Sequence, residues 1–353
     1  GADDEWSLHR NTDAFDGYEL LPTHLSNVSA IDTGSTLFGR SIDWPVMIAP
    51  TGASKLFHAG GEAAVASVAG QMNIPYSLST VGTTTIEDIA GIGEHPKVFQ
   101  IYVFRDRGLT QRFVERCKAA DYTALCLTVD TPVAGNRERD NYYGMMATAK
   151  PALRSVPSML RHPGWLYRAV VRKDMELVNV TSDEEAQSFT DMSVKDFIDS
   201  QFDRSLTWKD VEWLAGEWNG PLIIKGVQTV DDCRKAADSG ATAVMLSNHG
   251  GRQLEGSPAP VDCIADVADA LRDRLEILCD GGVRRGTHIV KALALGAHAV
   301  AIGRAYLYPR AAGGQPGVER GLSLLQEELR RTLALLGCDA VAKLDHGYIR
   351  RVT

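Results

Sequence analysis

The sequence predicts a (β/α)8 TIM barrel, a fold in which eight parallel strands close into a cylinder surrounded by helices. Two observations lead to this prediction. Between residues 45 and 336, a short apolar run followed by a helical pattern occurs eight times, and polar residues follow each apolar run directly. Strands that alternate with helices form a parallel sheet through right-handed crossovers, and eight such units close into a barrel. We expect a single domain over residues 1–353.

The elements of the first half follow from apolar runs and the turns that flank them. Residues 1–44 are polar with only short apolar pieces, so we expect an N-terminal cap with little regular structure. The predicted strands are Pro45–Ala49, Ile74–Leu78, Lys97–Val103 and Ala124–Val129, and the predicted helices are Gly60–Met72, Ile86–Ala90 and Leu109–Ala120.

The alternation breaks after Asp130 and resumes near Trp208. Residues 131–206 are therefore a long insertion after the fourth strand, and a loop of this length in a compact barrel is usually a lid or a binding element. The strands of the second half are Leu222–Ile224, Ala243–Leu246, Leu275–Leu278 and Ala299–Ile302, and the helices are Trp208–Trp218, Val230–Ser239, Val261–Leu271, His288–Leu295 and Val318–Leu336.

The composition indicates a globular protein with a sizeable core, since 44% of the 353 residues are hydrophobic and 23% are charged. A net charge of −8 argues against a nucleic-acid binder. The six cysteines form no C-x-x-C pair, which favours reduced thiols in a cytoplasmic compartment, and no histidine spacing suggests a metal site. No apolar run is long enough for a transmembrane helix, and no signal peptide is recognisable.

Polar residues at the ends of the strands predict an active site, because the carboxyl ends of barrel strands meet on one face. The most informative segment is Val-Met-Leu-Ser-Asn-His-Gly-Gly-Arg-Gln-Leu (244–254). His249 can take up a proton near neutral pH, and Arg252 can bind a carboxylate through two hydrogen bonds. A base beside an anion-binding arginine suits a small hydroxy acid, although a solvated turn would use the same residue types.

Three further side chains extend this site. Asp130 ends the fourth strand and can pair with His249, raise its pKa and fix its tautomer. Tyr102 ends the third strand and can hydrogen-bond to the same substrate hydroxyl. Arg137, in Gly-Asn-Arg-Glu-Arg-Asp (135–140), is either a second carboxylate contact or part of a surface charge run.

The ends of the seventh and eighth strands predict a phosphate site. Asp-Gly-Gly-Val-Arg (280–284) and Gly303-Arg304 stand where barrels bind phosphate through backbone N–H groups and a helix N-terminus. The G-x-G-x-x-G pattern of a dinucleotide site is absent. Lys225 ends the fifth strand and needs an anion, which is either a reduced flavin or a barrel carboxylate such as Asp130.

These motifs resemble those of the FMN-dependent 2-hydroxy-acid dehydrogenases and oxidases, the family of glycolate oxidase, bacterial L-lactate dehydrogenase and mandelate dehydrogenase. The resemblance covers nearly the whole chain. Its most specific motif is Ser-Asn-His-Gly-Gly-Arg-Gln (247–253), and Leu-Thr-Val-Asp-Thr-Pro (127–132), Ile-Lys-Gly (224–226), Asp-Gly-Gly-Val-Arg-Arg-Gly (280–286) and Lys-Ala-Leu-Ala-Leu-Gly-Ala (291–297) stand at the family's spacing.

The resemblance implies oxidation of an (S)-2-hydroxy acid to the 2-oxo acid, with FMN as cofactor and oxygen, a quinone or a cytochrome as the final acceptor. His249 would be the base with Asp130 as its partner, Arg252 and Arg137 would hold the substrate carboxylate, and Tyr102 would contact the hydroxyl. The residues implied at FMN are Pro50, Thr51, Gly52, Ser79, Gln100, Thr128, Lys225, Ser247, Asp280, Gly281, Gly282, Arg284, Gly303 and Arg304. A homotetramer is implied by the same analogy.

The sequence also departs from the family pattern. The family's N-terminal active-site tyrosine would precede Gly1. Val81 stands where glycolate oxidase has tryptophan, which suggests a different and roomier substrate pocket. Gly52 stands where glycolate oxidase has alanine, which favours an acceptor other than oxygen.

The insertion contains a segment, residues 153–173, in which basic and aromatic side chains are interleaved in an otherwise acidic protein. Membrane-bound relatives carry their membrane segment here, so one hypothesis is peripheral contact with the inner face of the membrane, where a quinone would be available. The other hypothesis is that the segment is a solvated lid or a subunit contact.

For the whole chain, the alternatives to the oxidoreductase are an FMN-dependent isomerase and a non-catalytic phosphate-ligand-binding barrel.

Overall fold

The computed structural model describes residues 1–143, 156–172, 176–181 and 202–352. Eight parallel strands close into a barrel in chain order, which confirms the predicted fold class. Each strand pairs with the next, and the eighth pairs with the first. The strands are β1 Val46–Ile48, β2 Tyr76–Ser79, β3 Lys97–Ile101, β4 Ala124–Thr128, β5 Leu222–Val227, β6 Ala243–Ser247, β7 Glu276–Asp280 and β8 Ala299–Ile302.

The helices around the barrel lie within a few residues of their predicted positions, except for the last. They are Gly61–Gln71, Ile86–Ala90, Arg107–Ala119, Trp208–Trp218, Val230–Asp238, Ile264–Leu271, Gly286–Ala294 and Arg304–Leu336. The last helix starts at Arg304 rather than Val318. Two prolines and several glycines concealed its first half, and the chain kinks at Gly314, whose φ of 61° glycine adopts readily.

Several of the helix starts are fixed by local capping. The side chains of Thr85, Asp106 and Thr229 each accept a hydrogen bond from a backbone N–H in the first turn of the following helix. Because the first N–H groups of a helix have no partner within the helix, such caps set where it begins. Each helix then returns the chain to the amino end of the next strand, which leaves the carboxyl ends free for side chains that do chemistry.

The barrel interior is filled by small and medium side chains and closed at its amino end by a hairpin. The hairpin strands Ser35–Leu37 and Arg40–Ile42 pair antiparallel. Leu37, Phe38 and Ile42 pack against the interior cluster. This cluster also contains Ala49 and the strand residues Met47, Val98, Ala124, Cys126, Ile223, Ala243, Met245, Leu278, Ala299 and Ala301. The interior is therefore a packed core that supports the opposite, carboxyl face.

The expectation of a cap with little regular structure is wrong. Residues 1–44 contain a helix, Trp6–Asp13, and a strand, Tyr18–Leu20, besides the hairpin. The helix buries Ser7 and Asn11 rather than an apolar stripe, and Tyr18–Leu20 pairs with Ile349–Arg351 at the other end of the chain. Polar packing and long-range pairing leave no periodic apolar pattern in the sequence.

The described part of the insertion contains short helices: Glu138–Tyr143, Val156–Leu160, Pro163–Tyr167, a π turn at Arg168–Arg172, and Val178–Thr181. Trp165 Nε1 donates a hydrogen bond to the Leu56 carbonyl at 2.8 Å, so this segment packs over the loop that follows β1. Residues 153–155 and 173 of the predicted basic and aromatic segment lie outside the described residues. In the described ranges, none of the helices has the length and apolar character needed to span a membrane.

Candidate active site

The loop after β6 presents His249 at the barrel mouth. His249, Gly250 and Gly251 have φ values of 59°, 66° and 72°, so three successive residues turn in the left-handed region. The His249 backbone N–H donates to Ser247 Oγ at 3.0 Å. A Cβ at Gly251 would overlap the backbone of Leu8 in the N-terminal helix. Glycine is needed there because the two chain segments touch.

His249 and Asp130 form the pair that the sequence predicted, with 2.9 Å between Nδ1 and Oδ1. Burial disfavours the charged form of Asp130, but the positive charges of His249 and Lys225 outweigh it and hold the pKa of Asp130 below its usual value. Burial lowers the pKa of His249, and Asp130 only partly offsets this effect. A neutral imidazole beside an ionised carboxylate follows, with Nε2 as the nitrogen that can accept a proton.

Lys225 is buried and forms a network with Asp280 and Ser247. Its Nζ lies 3.3 Å from Asp280 Oδ2 and donates to Ser247 Oγ at 3.1 Å, and Ser247 Oγ donates to Asp280 Oδ2 at 2.7 Å. Burial works against the ammonium, but Asp280 and then Asp130 raise the pKa of Lys225 above its usual value. Of the two anions considered from sequence, the carboxylate is thus present, although it is Asp280 rather than Asp130. A second anion at the mouth is compatible with this charge.

Tyr102 and Arg137 lie close to this pair. Burial and then the Asp130 charge raise the pKa of Tyr102 to about 12, so its hydroxyl is protonated and able to donate. Arg137 is half-buried, and its charge lowers the pKa of both Tyr102 and His249. The guanidinium is therefore close enough to influence both groups, which favours a substrate contact over a surface charge run.

Arg252 has a partner that sequence reasoning missed. Its Nη2 donates to Asp140 Oδ2 at 3.3 Å. The neighbouring Gln253 was also missed, although it stands inside the most specific motif. Its Nε2 donates to the carbonyls of Asp130 and Val133 at 2.8 and 2.9 Å, and its Oε1 accepts from the Gly135 N–H at 3.0 Å. Gln253 thereby joins the loops after β4 and β6, which carry the predicted substrate contacts.

Three of the residues that the resemblance implies at FMN, Ser79, Gln100 and Thr128, lie at the carboxyl ends of neighbouring strands. Ser79 Oγ donates to Gln100 Oε1 at 2.8 Å. Gln100 Nε2 and Thr128 Oγ1 are buried and have no hydrogen-bond partner in the part of the chain that the structure describes. Buried polar atoms are normally paired, so these two are suited to the carbonyl and N–H edge of a bound heterocycle.

The loop after β1 closes one side of the mouth. Thr51 Oγ1 shares a hydrogen bond with the Tyr306 hydroxyl. Gly52 faces Val81, and a Cβ at Gly52 would lie 2.5 Å from Val81 Cγ2. Gly52 therefore lies beside Val81.

The arginines after β7 and β8 form a candidate anion site. Burial lowers the pKa of both Arg284 and Arg304, and the Arg304 charge lowers that of Arg284 further. Neither guanidinium has a carboxylate within ion-pair distance among the described residues; each donates to a carbonyl, that of Val283 at 2.8 Å and that of Gly250 at 3.1 Å. Gly281 and Gly282 have positive φ, and a Cβ at Gly303 would meet open space. A phosphate would relieve the repulsion between the two arginines.

Comparison with known proteins decides the family. The model of the FMN-dependent dehydrogenase family matches residues 1–351. The chain belongs to this family. It is therefore an FMN-dependent enzyme that oxidises 2-hydroxy acids, and an isomerase or a non-catalytic barrel is not favoured.

Three relatives show how close the match is. An L-lactate dehydrogenase of Xanthomonas campestris pv. campestris is 38% identical over 100% of this chain and 91% of its own. The crystal structure of a monotopic membrane protein, (S)-mandelate dehydrogenase, is 35% identical with a TM-score of 0.92, over 100% of this chain and 93% of that one. A flavocytochrome b2 variant with pyruvate bound is 32% identical with a TM-score of 0.81, over 99% and 80% of the two chains.

Proposed function

We propose that this FMN-dependent dehydrogenase oxidises an (S)-2-hydroxy acid of the lactate or mandelate kind, with His249 as the base. The observation that carries the proposal is the 2.9 Å contact between His249 and Asp130, and we propose that Arg137, Arg252 and Tyr102 complete the site. A neutral imidazole with a fixed tautomer can take a proton from the substrate through Nε2. Asp130 then stabilises the imidazolium that forms.

The remaining groups orient the substrate. Arg252 and Arg137 supply the planar, permanently charged donors that bind a carboxylate at two points. The protonated Tyr102 donates to the substrate hydroxyl. Holding the acid at two ends places its α-carbon in one orientation relative to His249, which removes much of the entropic part of the barrier.

The chain's own residues fit the ring and the phosphate of FMN. Ser79, Gln100 and Thr128 would hold the polar edge of the ring, and Pro50, Thr51 and Gly52 would line one face. Lys225, held by Ser247 and Asp280, would set a permanent positive charge beside the ring. Gly281, Gly282, Arg284, Gly303 and Arg304 would hold the phosphate. When bound, FMN supplies the acceptor for the electron pair that leaves the substrate.

Anaerobic absorbance measurements test the catalytic assignment. The purified yellow protein is mixed with (S)-lactate, (S)-mandelate and glycolate separately, and we expect loss of the flavin colour with at least one. His249→Ala should retain FMN and lose this bleaching, whereas His24→Ala, a change at an exposed histidine, should not. If His249→Ala were bleached at the normal rate, the base would have to be another residue.

The substrate side chain is proposed to lie against Val81 and Gly52. Val81 fills less space than the tryptophan of glycolate oxidase, so we propose a pocket that admits an aromatic or branched side chain. Fast bleaching by mandelate but not by lactate or glycolate would support an aromatic pocket. Bleaching by glycolate alone would contradict the roomier pocket.

The electron acceptor is proposed to be a quinone reached at a membrane surface. Within the insertion, Leu160, Tyr167 and Val171 are 65%, 56% and 64% exposed, and Arg161 and Arg172 are exposed beside them. Exposed apolar and basic residues on short helices are suited to the interface of an anionic bilayer. The relative with the high TM-score is described as a monotopic membrane protein.

Sedimentation with anionic vesicles at low salt tests the membrane contact. We expect the protein to pellet with the vesicles and Leu160→Glu with Val171→Glu to stay in the supernatant. Leu335→Glu, on the exposed face of the last helix, is the matched control. If the unaltered protein stays in solution, or if deleting 153–173 leaves quinone reduction intact, the segment is a lid or a subunit contact.

We also propose that the protein is a homotetramer. Measurement of its molecular mass in solution will test this.

A further inference from the structure

Arg252 is restrained by a carboxylate from the insertion. One nitrogen of the guanidinium, Nη2, lies 3.3 Å from Asp140 Oδ2. The side chains of Arg252 and Asp140 are 31% and 37% exposed, so the pair lies at the edge of the mouth. The second Nη2 hydrogen, together with those on Nε and Nη1, has no hydrogen-bond partner among the described residues, so a two-donor edge of the Arg252 guanidinium can still meet a ligand.

Asp140 lies in a short helix, and the residues just before this helix are held by contacts with two other chain segments. Glu138–Tyr143 follows Asn136, whose carbonyl accepts from the Asp3 N–H at 2.8 Å and whose Nδ2 donates to Asp3 Oδ1 at 2.7 Å. Gly135 is joined to Gln253 and lies so close to the Arg252 carbonyl that a Cβ would overlap it. The backbone that leads to Asp140 is therefore joined to the loop that carries Arg252.

We propose that Asp140 is a positioning residue for Arg252. By holding one nitrogen of the guanidinium, Asp140 turns the free edge of the fork toward the substrate carboxylate and limits the rotamers of a long, flexible side chain. An arginine whose plane is already set loses less freedom when it binds a carboxylate at two points. The inference rests on the proposed role of Arg252 and adds a partner to it.

The competing interpretation has the opposite consequence. If Asp140 merely occupied Arg252 in the absence of substrate, its carboxylate would compete with the substrate carboxylate, and its removal would strengthen binding. If Asp140 positions Arg252, its removal weakens binding. The sign of the change in KM therefore separates the two.

The experiment compares Asp140→Asn, Asp140→Glu and Arg252→Met with the unaltered holoenzyme. For Asp140→Asn we expect KM for the 2-hydroxy acid and Kd for the 2-oxo acid product to rise about five-fold, as for one weak charged contact, with kcat changed less than about two-fold. Asp140→Glu, which keeps the carboxylate, should recover part of the loss. Asp231→Asn, which removes one exposed carboxylate from an ion pair with Lys235, is the matched control.

The double variant, compared with the single variants, separates the substrate role of Arg252 from the positioning role of Asp140. If Asp140 acts through Arg252, Asp140→Asn should have no further effect on KM in the Arg252→Met background. An unchanged KM in Arg252→Met alone would overturn the substrate role of Arg252. A raised KM in Arg252→Met together with an unchanged or lowered KM in Asp140→Asn would overturn only the positioning role. Loss of FMN from Asp140→Asn would also overturn it, because the residue would then be structural.

Discussion

His249 combines two environments that act in opposite directions on its pKa. Burial lowers the pKa, Asp130 raises it, and the positive charges of Lys225 and Arg137 lower it again. The net effect is a base that is unprotonated at neutral pH yet has a carboxylate ready to stabilise its protonated form. This arrangement suits proton abstraction from a weakly acidic group.

The pH dependence of substrate oxidation follows from the direction of that shift. Because only the neutral imidazole accepts a proton, kcat/KM should be constant at neutral pH and fall on the acid side. The midpoint of that fall should lie below 6.5, the ordinary value for histidine. Stopped-flow measurement of flavin bleaching from pH 5 to pH 8 will check this. A midpoint above 6.5 would mean that Asp130 outweighs burial.

His95 supplies a second pH dependence, on stability rather than on activity. It is buried beside the amino end of β3, and neither ring nitrogen has a hydrogen-bond partner among the described residues. Burial, assisted by the charge of Lys97, lowers the pKa of His95 to about 4. The unfolded chain binds this proton from pH 6.5 downward, whereas the folded chain does so only near pH 4.

Stability should therefore be complete above pH 6.5 and fall between pH 6.5 and about 4. The full shift corresponds to roughly 3 kcal/mol of unfolding free energy. Urea unfolding across this range, compared between the unaltered protein and His95→Phe, will measure this contribution. We expect a flatter profile for His95→Phe and an unchanged one for the exposed control His24→Phe. Equal slopes in all three would contradict the assignment.

At the scale of elements, the loop after β1 is hydrogen-bonded to Glu62 of the helix Gly61–Gln71. The Glu62 carboxylate is fully buried and accepts from the backbone N–H groups of Ser54 and Thr83 and from the hydroxyls of Thr83 and Thr84. These bonds join the loop after β1 to the loop after β2. Gly52 and Val81 stand on those same two loops, so the shape of the substrate pocket depends on a residue outside it.

Glu62→Ala should lower the free energy of unfolding by about 3 kcal/mol, because it leaves buried donors without an acceptor. Glu62→Gln keeps one acceptor oxygen and should cost less. Chemical denaturation of the FMN-bound protein will measure both. A cost below about 1 kcal/mol for Glu62→Ala would mean that water replaces the carboxylate.

At the scale of the whole molecule, the N-terminal residues are joined to the loops that carry the site. The Ala2 N–H donates to the Gly251 carbonyl, and Asn11 and Asn248 exchange hydrogen bonds through their side chains at 2.7 Å. Glu255 accepts from the Trp6 N–H at 2.6 Å. Ala2 and the first helix therefore hold the loop after β6, although none of these residues was predicted to act in the reaction.

Gly282→Ala should separate that helix from the phosphate loop. Gly282 has φ of 77°, and an added Cβ would overlap the carbonyl of Asn11. We expect weaker FMN retention, because the chain must move at the phosphate site. Gly216→Ala is the control, since a Cβ at Gly216 meets nothing within 4 Å. FMN content after dialysis will check the prediction, and equal retention in both variants would contradict it.

The sequence by itself determined the barrel and much of the site's composition. The strands could be predicted because an apolar run bounded by turns is a local feature of the sequence. Their order in the barrel could be predicted because right-handed crossovers place eight successive strands side by side in chain order. The pairing of Asp130 with His249 could also be predicted, because both residues follow strands whose carboxyl ends meet on one face of the barrel.

Only the tertiary structure decided the partners of those residues. Lys225 pairs with Asp280 rather than Asp130, Arg252 is held by Asp140, and Gln253 joins two loops, because side-chain reach across a barrel mouth depends on loop conformations that no local pattern encodes. The N-terminal helix escaped prediction because its contacts are polar and link residues more than two hundred positions apart. Local apolar periodicity determines which helices and strands form. The orientation of the reactive side chains is determined by contacts between distant loops, each of which contributes little to stability by itself.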